Sequence, residues 1–410
     1  MRELELGPGI KRRSYNLIDK FPFEQLDSPL LPNLRKLVCF ESRMGRYLRS
    51  FLQSSLTELY WKYDNGPYTA PALDALREAN PTLTTLHLIP HPAMSGTEGI
   101  AAAMKKTVQS MRHLQRGAVF PVEILLGPLS SLASLTHLRL EVPGGPVDHP
   151  SYFSLPSSAA KFCHLQELAI LAPLDSYPRL SAFLDGISSR SLRALRLSFI
   201  PSSRDRHTNE RDSRHIASSF RRVINSCSAF VTLELLMLGF EPNKPSRSVM
   251  LIEDSECFLS DDAITPLLRL RSLVTLDLQD LPLSMSPDGI ARVLQNWPNM
   301  RALYLGSNSS DTVHTATTLG DLRLFVPCAK LEYLGFAVTQ FARSHLDDFA
   351  ASEGDADDDA LPVNPIVRRI YLRVFARPSG QDERYINSML ARVFPAAGVR
   401  ITRGPRAVGY

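Results

Sequence analysis

The 410-residue sequence lacks the features of a secreted, disulfide-bonded or membrane-spanning protein. Its five cysteines are Cys39, Cys163, Cys227, Cys257 and Cys328. They are odd in number, far apart and without a CxxC pair, which argues against a disulfide framework or a zinc site and favours reduced thiols in the cytoplasm or nucleus. No run of about 18 apolar residues occurs, and charged residues follow Met1 at once, so we expect neither a membrane span nor a signal peptide.

Motifs for nucleotide binding and catalysis are missing as well. The sequence has no GxxxxGK[ST], HExxH, GxSxG or GxGxxG, which are the short patterns that position phosphates, metals or nucleophiles. We therefore expect no enzymatic activity, no cofactor, and no catalytic or metal-binding residues. The net charge of +4 is spread over a chain in which both signs are mixed, which makes nucleic acid an unfavoured partner.

What the sequence does contain is a repeated leucine pattern: an apolar residue, two variable residues, Leu, one variable residue and another apolar residue. The copies begin at Leu34, Leu56, Leu83, Leu135, Leu165, Leu192, Leu233, Leu273, Met300, Leu331 and Val367, with a degraded copy at Met111-Leu114 in which Arg116 takes the third apolar place, and with the tail of another copy at Arg2 to Leu6. Most copies start about 22 to about 36 residues apart, a spacing typical of leucine-rich repeats.

This spacing predicts an α/β leucine-rich-repeat solenoid: a right-handed horseshoe with a parallel sheet on the concave side and helices on the convex side. Residues two apart in a strand face the same side, so Leu86 and Leu88 should enter a core shared by successive repeats. We expect one domain over residues 1–410, with about 12–13 irregular repeats and inserted or mobile loops at 201–213, 241–260 and 347–362.

Helical periodicity between the strands predicts the second layer. The helical segments include 46–52, 72–77, 216–223, 263–270, 290–294 and 386–393. Ser213, Ser260 with Asp261, and Ser286 before Pro287 are the expected residues at helix starts.

Two stretches, Leu31 to Leu37 and Trp297 to Leu305, resemble the irregular repeats of ribonuclease-inhibitor-like proteins, and most closely those of fungal F-box proteins. Cysteines before a strand, as at Cys227 and Cys328, also resemble that group. The resemblance implies that the repeats hold a protein, which F-box members present to a cullin-RING ubiquitin ligase through an N-terminal F-box. No F-box motif is present in this sequence, so we expect either that it was lost or that the gene model begins too late.

The residues flanking each central leucine should project from the concave sheet face, where Tyr and Arg are the usual anchors of protein interfaces. The predicted partner-binding residues are Tyr60, His87, His137, Arg139, Arg196, Met237, Asp277, Tyr304, Tyr333, Tyr371 and Arg373. Three of the tyrosines, Tyr304, Tyr333 and Tyr371, come from consecutive repeats and could form an aromatic ladder. The arginines would suit an acidic peptide or a phosphate group.

Other polar clusters have ordinary explanations. His87, His113 and His137 are expected at comparable points of successive repeats, but exposed polar side chains explain them better than a metal site. The acidic run 355–359 lacks the glycine and bidentate glutamate of a calcium loop. The sequence thus favours a non-enzymatic recognition scaffold related to ubiquitin-ligase substrate receptors, and the alternative is a structural or regulatory clasp without a ligase link.

Overall fold

The structure is a computed structural model, and it describes the chain in segments. These are residues 2–6, 30–40, 42–52, 55–64, 66–79, 82–90, 98–119, 122–142, 162–173, 176–200, 210–240, 259–278, 281, 283–306, 319–338, 363–374 and 380–403. The chain divides into two compact units. The first unit comprises residues 1–171 and 185–192, and the second comprises residues 172–184 and 193–410.

Seven parallel strands build the sheet of the first unit. They are β1 (Glu3–Leu6), β2 (Lys36–Cys39), β3 (Glu58–Tyr63), β4 (Thr85–Pro90), β5 (Arg116–Val119), β6 (His137–Glu141) and β7 (Glu167–Pro173). Each strand pairs with the next one in chain order, and the central leucines lie in register, as with Leu37 opposite Leu59 and Leu59 opposite Leu86. The strands are therefore joined by crossovers, as expected for stacked repeats.

The second unit repeats this arrangement with longer connections. Its strands are β8 (Ala194–Ile200), β9 (Leu235–Phe240), β10 (Leu259–Ser260), β11 (Thr275–Leu278), β12 (Leu283–Ser284), β13 (Ala302–Leu305), β14 (Tyr333–Val338), β15 (Arg369–Val374) and β16 (Gly398–Arg403). Seven of these strands form the parallel sheet, and the two-residue strands β10 and β12 pair separately. Leu195, Leu236 and Leu276 follow one another in register.

Helices connect the strands. They are α1 (Leu48–Phe51), α2 (Thr69–Ala79), α3 (Glu98–Ser110), α4 (Val122–Ser130), α5 (Tyr177–Asp185), α6 (Glu210–Cys227), α7 (Asp261–Ile264), α8 (Pro287–Asn296) and α9 (Gly380–Val393), with 3₁₀ helices at Ser42–Tyr47, Thr265–Arg269 and Leu319–Phe325. The predicted cap at Ser286 is confirmed, because its hydroxyl accepts from the backbone N–H of Gly289 at 3.0 Å. Ser213 lies inside α6 instead of before it, and Ser260 makes no side-chain cap bond.

The core is continuous within each unit because strand residues alternate between buried and partly exposed positions. Strands β3 and β9 both follow this alternation over six residues. Leu59 and Trp61 are buried in β3, as are Leu236 and Leu238 in β9. The apolar faces of the helices close the core from the other layer, as with Leu73 and Leu76 of α2. Burial of such leucines is the main stabilising contribution, about 2 kcal/mol or more for each side chain.

A ladder of shared carbonyl groups links each repeat to the next just before the strand. The carbonyl of Arg35 accepts from the N–H groups of Thr57 and Glu58, both at 2.9 Å. In the second unit, the carbonyl of Arg301 accepts from Glu332 and Tyr333 at 2.8 and 2.9 Å. The ladder satisfies backbone groups that would otherwise be buried without partners.

Side chains donate hydrogen bonds to further backbone carbonyls, and the two units use different residue types for this. In the first unit, the hydroxyl of Ser134 donates to the carbonyls of Arg112 and Leu114, both at 2.8 Å. In the second unit, the buried amide of Asn364 donates to the carbonyls of Val326 and Cys328, both at 3.1 Å, and it lies 3.4 Å from that of Phe325.

This geometry confirms the predicted α/β leucine-rich-repeat solenoid, with two corrections to the repeat pattern. The degraded repeat was placed three residues too early: Gly117, not Leu114, lies opposite Leu86 and Leu138. The sequence pattern also missed β16, in which Val399 pairs with Ile370. Gly117 in β5 and Val399 in β16 occupy the position at which the other repeats mostly have leucine.

The single-domain organisation and the proposed loops stay predictions. Residues 201–209, 241–258 and 347–362 lie outside the described residues, whereas 210–213 belong to α6 and 259–260 form β10. Within the described ranges, no helix combines the length and the apolar character that crossing a membrane requires.

Candidate protein-binding face

The strand residues that alternate with the buried leucines form what we call the outward face of each unit. Its central row consists of the residues between the two buried positions of each strand. In the second unit, the central row is Arg196, Met237, Asp277, Tyr304, Gly335, Tyr371 and Arg400. Five of the seven were predicted as binding residues, whereas Gly335 and Arg400 were not.

Tyr304 and Tyr371 contact each other although a whole strand separates them. Tyr304 is in β13, Tyr371 is in β15, and Gly335 of β14 lies between them in register. The ring centroids are 6.0 Å apart with an interplanar angle of 49°. A Cβ atom at Gly335 would collide with Cδ1 of Tyr304. The glycine therefore provides the space in which the Tyr304 ring lies across β14, and this aromatic pair depends on it.

Tyr333 and Arg369 lie in the neighbouring row and complete the cluster. They are opposite each other in β14 and β15. A side-chain hydrogen bond with Tyr371 is the main cause of a raised pKa for Arg369. Burial raises the pKa of Tyr304, and the nearby Tyr371, Asp277 and Tyr333 raise it further, whereas Arg369 lowers it. The phenol of Tyr304 is thus a neutral hydrogen-bonding group near neutral pH, and the exposed cation Arg369 lies beside it.

At the edge of this face, Glu332 forms ion pairs with two arginines, each of which directly precedes a strand. The Glu332 carboxylate lies between two guanidinium groups, with Oε1 at 3.7 Å from Nε of Arg301 and Oε2 at 3.8 Å from Nη1 of Arg368. Both arginines are mostly exposed, so each pair contributes well under about 1 kcal/mol to stability. The pairs place two guanidinium groups around Glu332, the residue before Tyr333.

The outward face of the first unit carries four of the predicted residues. Tyr60 and His87 are direct neighbours in register, and their rings are stacked with centroids 4.3 Å apart and an interplanar angle of 19°. Nζ of Lys36 lies 5.9 Å from the centroid of the Tyr60 ring. His137 is paired with Glu167, with 3.5 Å between Nε2 and Oε1, and Arg139 is exposed in the central row.

The predicted alignment of three histidines is wrong. His87 is in the central row, His137 is one outward position earlier in its strand, and His113 lies in the turn before β5. The misplaced repeat at Met111 explains only His113, because His87 and His137 stand at different distances from the first leucines of their own repeats, Leu83 and Leu135. In the described part of the chain, no group of three His, Cys, Asp or Glu side chains is placed to hold a metal ion.

The predicted tyrosine ladder needs a similar correction. Tyr304 and Tyr371 share the central row, but Tyr333 lies in the row before it, because the central residue of β14 is Gly335. Arg373 lies in β15 opposite Ala337, and its side chain is outside the described residues. The proposed binding roles of these residues stay predictions.

Comparison with known proteins yields neither a family nor a curated relative: no family model matches the chain, and no curated protein matches it. Solved structures do match it, and two of them are described next. A chain in the crystal structure of the Rad7 and Elc1 complex in yeast is 14% identical, with 82% of this chain and 81% of that chain covered and a TM-score of 0.34. A leucine-rich-repeat protein of Leptospira interrogans is 10% identical, with 92% and 97% covered and a TM-score of 0.29. Function must be argued from the residues.

Proposed function

We propose that this chain is a non-enzymatic recognition module that binds a protein partner through the outward faces of its strands. The observation that carries the proposal is the contact of Tyr304 with Tyr371 above Gly335. The core is already filled by the alternate residues, so this partly exposed aromatic pair is not needed to complete it. Tyrosine and arginine supply large contact areas and directional hydrogen bonds at the centres of protein interfaces.

The test is affinity capture from the native cell followed by mass spectrometry, with wild-type, Tyr304→Ala and Tyr333→Ala proteins as bait. We expect both variants to fold and to lose about tenfold or more of their affinity for the captured partner, as for central anchors. Tyr385→Ala is the matched control, because Tyr385 is 39% exposed on α9 and outside the strands. Undiminished capture by both strand variants would exclude this face, and loss of the fold would place the rings in the core.

The narrower proposal is that the partner is a substrate held for a cullin-RING ubiquitin ligase. Its support is the sequence resemblance of Leu31 to Leu37 and Trp297 to Leu305 to fungal F-box repeats. Co-purification of the cullin adaptor with the protein as expressed in its own cell would support this reading. Capture of a partner without the adaptor would favour the alternative, a regulatory clasp with no ligase link.

We further propose that the protein acts in the cytoplasm or nucleus. The support is that Cys39, Cys163, Cys227 and Cys328 are all free thiols in the structure. Burial raises the pKa of Cys39 to about 12 and that of Cys328 to about 11, so these two thiols are unreactive at neutral pH. Fluorescence imaging of the tagged chain in its own cell tests the location.

A further inference from the structure

Two arginines of the first unit project from adjacent strands of its outward face. Arg116 is the first residue of β5, and Arg139 is the central residue of β6, where Ala118 lies opposite it. Ala118 also pairs with His87 of β4, so the three basic residues surround a single alanine position. Adjacent strands lie about 4.8 Å apart, which allows two long arginine side chains on neighbouring strands to reach one small ligand.

Among the described residues, these two arginines have no acidic partner, in contrast to Lys36 and His137 of the same face. Lys36 pairs with Glu3, with 3.8 Å between Nζ and Oε2, and His137 pairs with Glu167. Across the described ranges of the chain, neither Arg116 nor Arg139 forms an ion pair or a side-chain hydrogen bond, and both are exposed. Two positive charges on this part of the face are therefore not neutralised by a direct partner.

In addition to burial, both charges lower the pKa of His87. Burial is the largest cause of its lowered pKa, and Arg139 and then Arg116 lower it further. Both guanidinium groups therefore raise the electrostatic potential at the same ring. A bound anion would reverse this effect by shielding the imidazole from the arginines.

We propose that Arg116 and Arg139 together bind the phosphate group of a phosphorylated side chain on the protein partner, with His87 offering a ring N–H to the same group. A phosphate monoester carries a charge of about −1.5 to −2 at neutral pH and matches two arginines, whereas a single carboxylate matches one. The forked guanidinium groups fit its oxygens bidentately. This inference rests on the proposed function, since it takes the strand face to be where the partner binds.

Other charged groups around His87 set the background of any pH titration. Glu58 and Lys62 lie on β3, two residues before and two residues after Tyr60, and Glu141 follows Arg139 in β6. His137 stands beside Arg116 in register and is itself paired with Glu167. Because His137 is a second imidazole close to Arg116, its ring signal must be followed separately from that of His87.

The test follows the His87 ring by NMR while inorganic phosphate is added to the full chain, with its signal assigned by its loss in His87→Gln. We expect the pKa of His87 to rise as phosphate binds. Arg139→Gln and Arg116→Gln should each raise the pKa of His87 without phosphate, because one repelling charge is gone, and should weaken phosphate binding about tenfold or more. Arg112→Gln is the control, since Arg112 is exposed in the turn before β5.

A second arm separates the possible sources of the anion. A peptide with one phosphoserine should shift His87 as phosphate does, while the same peptide with serine should not, and with glutamate it should bind more weakly. Binding of inorganic phosphate alone would overturn the assignment to a phosphorylated side chain, and equal binding of the glutamate peptide would overturn the phosphate class. An unchanged pKa of His87 in all of these experiments would exclude the proposed phosphate site.

The two proposals can fail separately. If capture is lost in Tyr304→Ala but phosphate leaves His87 unaffected, the recognition function stands and the phosphate site is wrong. If Tyr304→Ala and Tyr333→Ala capture the partner normally while Arg139→Gln loses phosphate binding, the tyrosine face of the second unit is wrong and the anion site of the first unit stands.

Discussion

The outward faces of the two units each carry an aromatic pair, and the pairs are built differently. In the first unit, Tyr60 and His87 belong to adjacent strands and stack at 4.3 Å. In the second unit, Tyr304 and Tyr371 belong to strands two apart and meet at 6.0 Å across Gly335. Adjacent strands bring neighbouring rings together without special help, whereas about 10 Å between alternate strands can be bridged only where the middle strand carries no side chain.

The same backbone register thus presents two different chemistries. The exposed arginine of the second-unit cluster, Arg369, is bonded to Tyr371, so its charge is part of an aromatic and hydrogen-bonding surface. In the first unit, Arg116 and Arg139 have no such partner within the described residues, and their charge acts on His87. These differences are why we propose a broad protein contact for the face of the second unit and a compact anion for that of the first.

The largest expected effect comes from a substitution in the core beneath the outward face of the second unit. Leu195 is fully buried in β8, below the central-row residue Arg196. Leu195→Asp places a charge in the core and should destabilise the second unit on the order of 5 kcal/mol. Thermal unfolding followed by circular dichroism measures this loss, and Leu195→Met, which keeps the volume, should cost less than about 1.5 kcal/mol. An unchanged melting curve for Leu195→Asp would contradict the strand register.

A second test compares how the two units hold their repeats together. Asn364→Ala removes the donor to the carbonyls of Val326 and Cys328 and the acceptor for the N–H of Ile366 at 2.9 Å. Because these groups are left buried without partners, we expect a loss of about 2–4 kcal/mol. Ser134→Ala removes a single hydroxyl, for which we expect about 1 kcal/mol.

Chemical denaturation of both variants gives these two values. Equal losses would mean that water replaces the Asn364 amide and that the second unit does not depend on it. Thr136→Ala is a further comparison at a more exposed site, where the hydroxyl lies 3.2 Å from the carbonyl of Gln115 and 2.8 Å from Nδ1 of His137.

The sequence predicts the fold well wherever leucine marks the buried strand position, because the two-residue alternation and the repeat spacing are both set by that residue. It fails where the marker is absent. Gly117 in β5 and Val399 in β16 occupy the leucine position without its side chain, so one repeat was misplaced and one was missed. The helices α3, α4 and α5 were not predicted either, because alanine, glycine and proline weaken the apolar periodicity of their sequences.

The candidate site is predictable only in part. Alternation alone identifies Tyr304 and Tyr371 as facing away from the core, because each follows a buried leucine or isoleucine. Their contact is not readable from one repeat, since it depends on which residue of the intervening repeat lies between them. Aligning Leu334-Gly335-Phe336 with Leu303-Tyr304-Leu305 would have supplied that signal. Arg116 was not predicted as a binding residue, because the misplaced repeat put it at a core position, whereas it is exposed in the structure.

The smallest expected change in stability comes from Gly335→Ala, and this substitution tests the comparison most directly. The new Cβ would collide with Cδ1 of Tyr304 and lie 3.2 Å from its Cγ, so the ring must rotate away from Tyr371. We expect a change in stability of about 1 kcal/mol or less, because the ring swings toward solvent and the buried leucines are untouched. Partner capture should nevertheless fall as in Tyr304→Ala, while Gly398→Ala, whose Cβ would lie 3.8 Å from the carbonyl of Arg368, should leave capture unchanged. Because Tyr304 itself is retained, normal capture by Gly335→Ala would show that the partner needs the tyrosine but not the pair, and the two outward faces would then differ in composition alone.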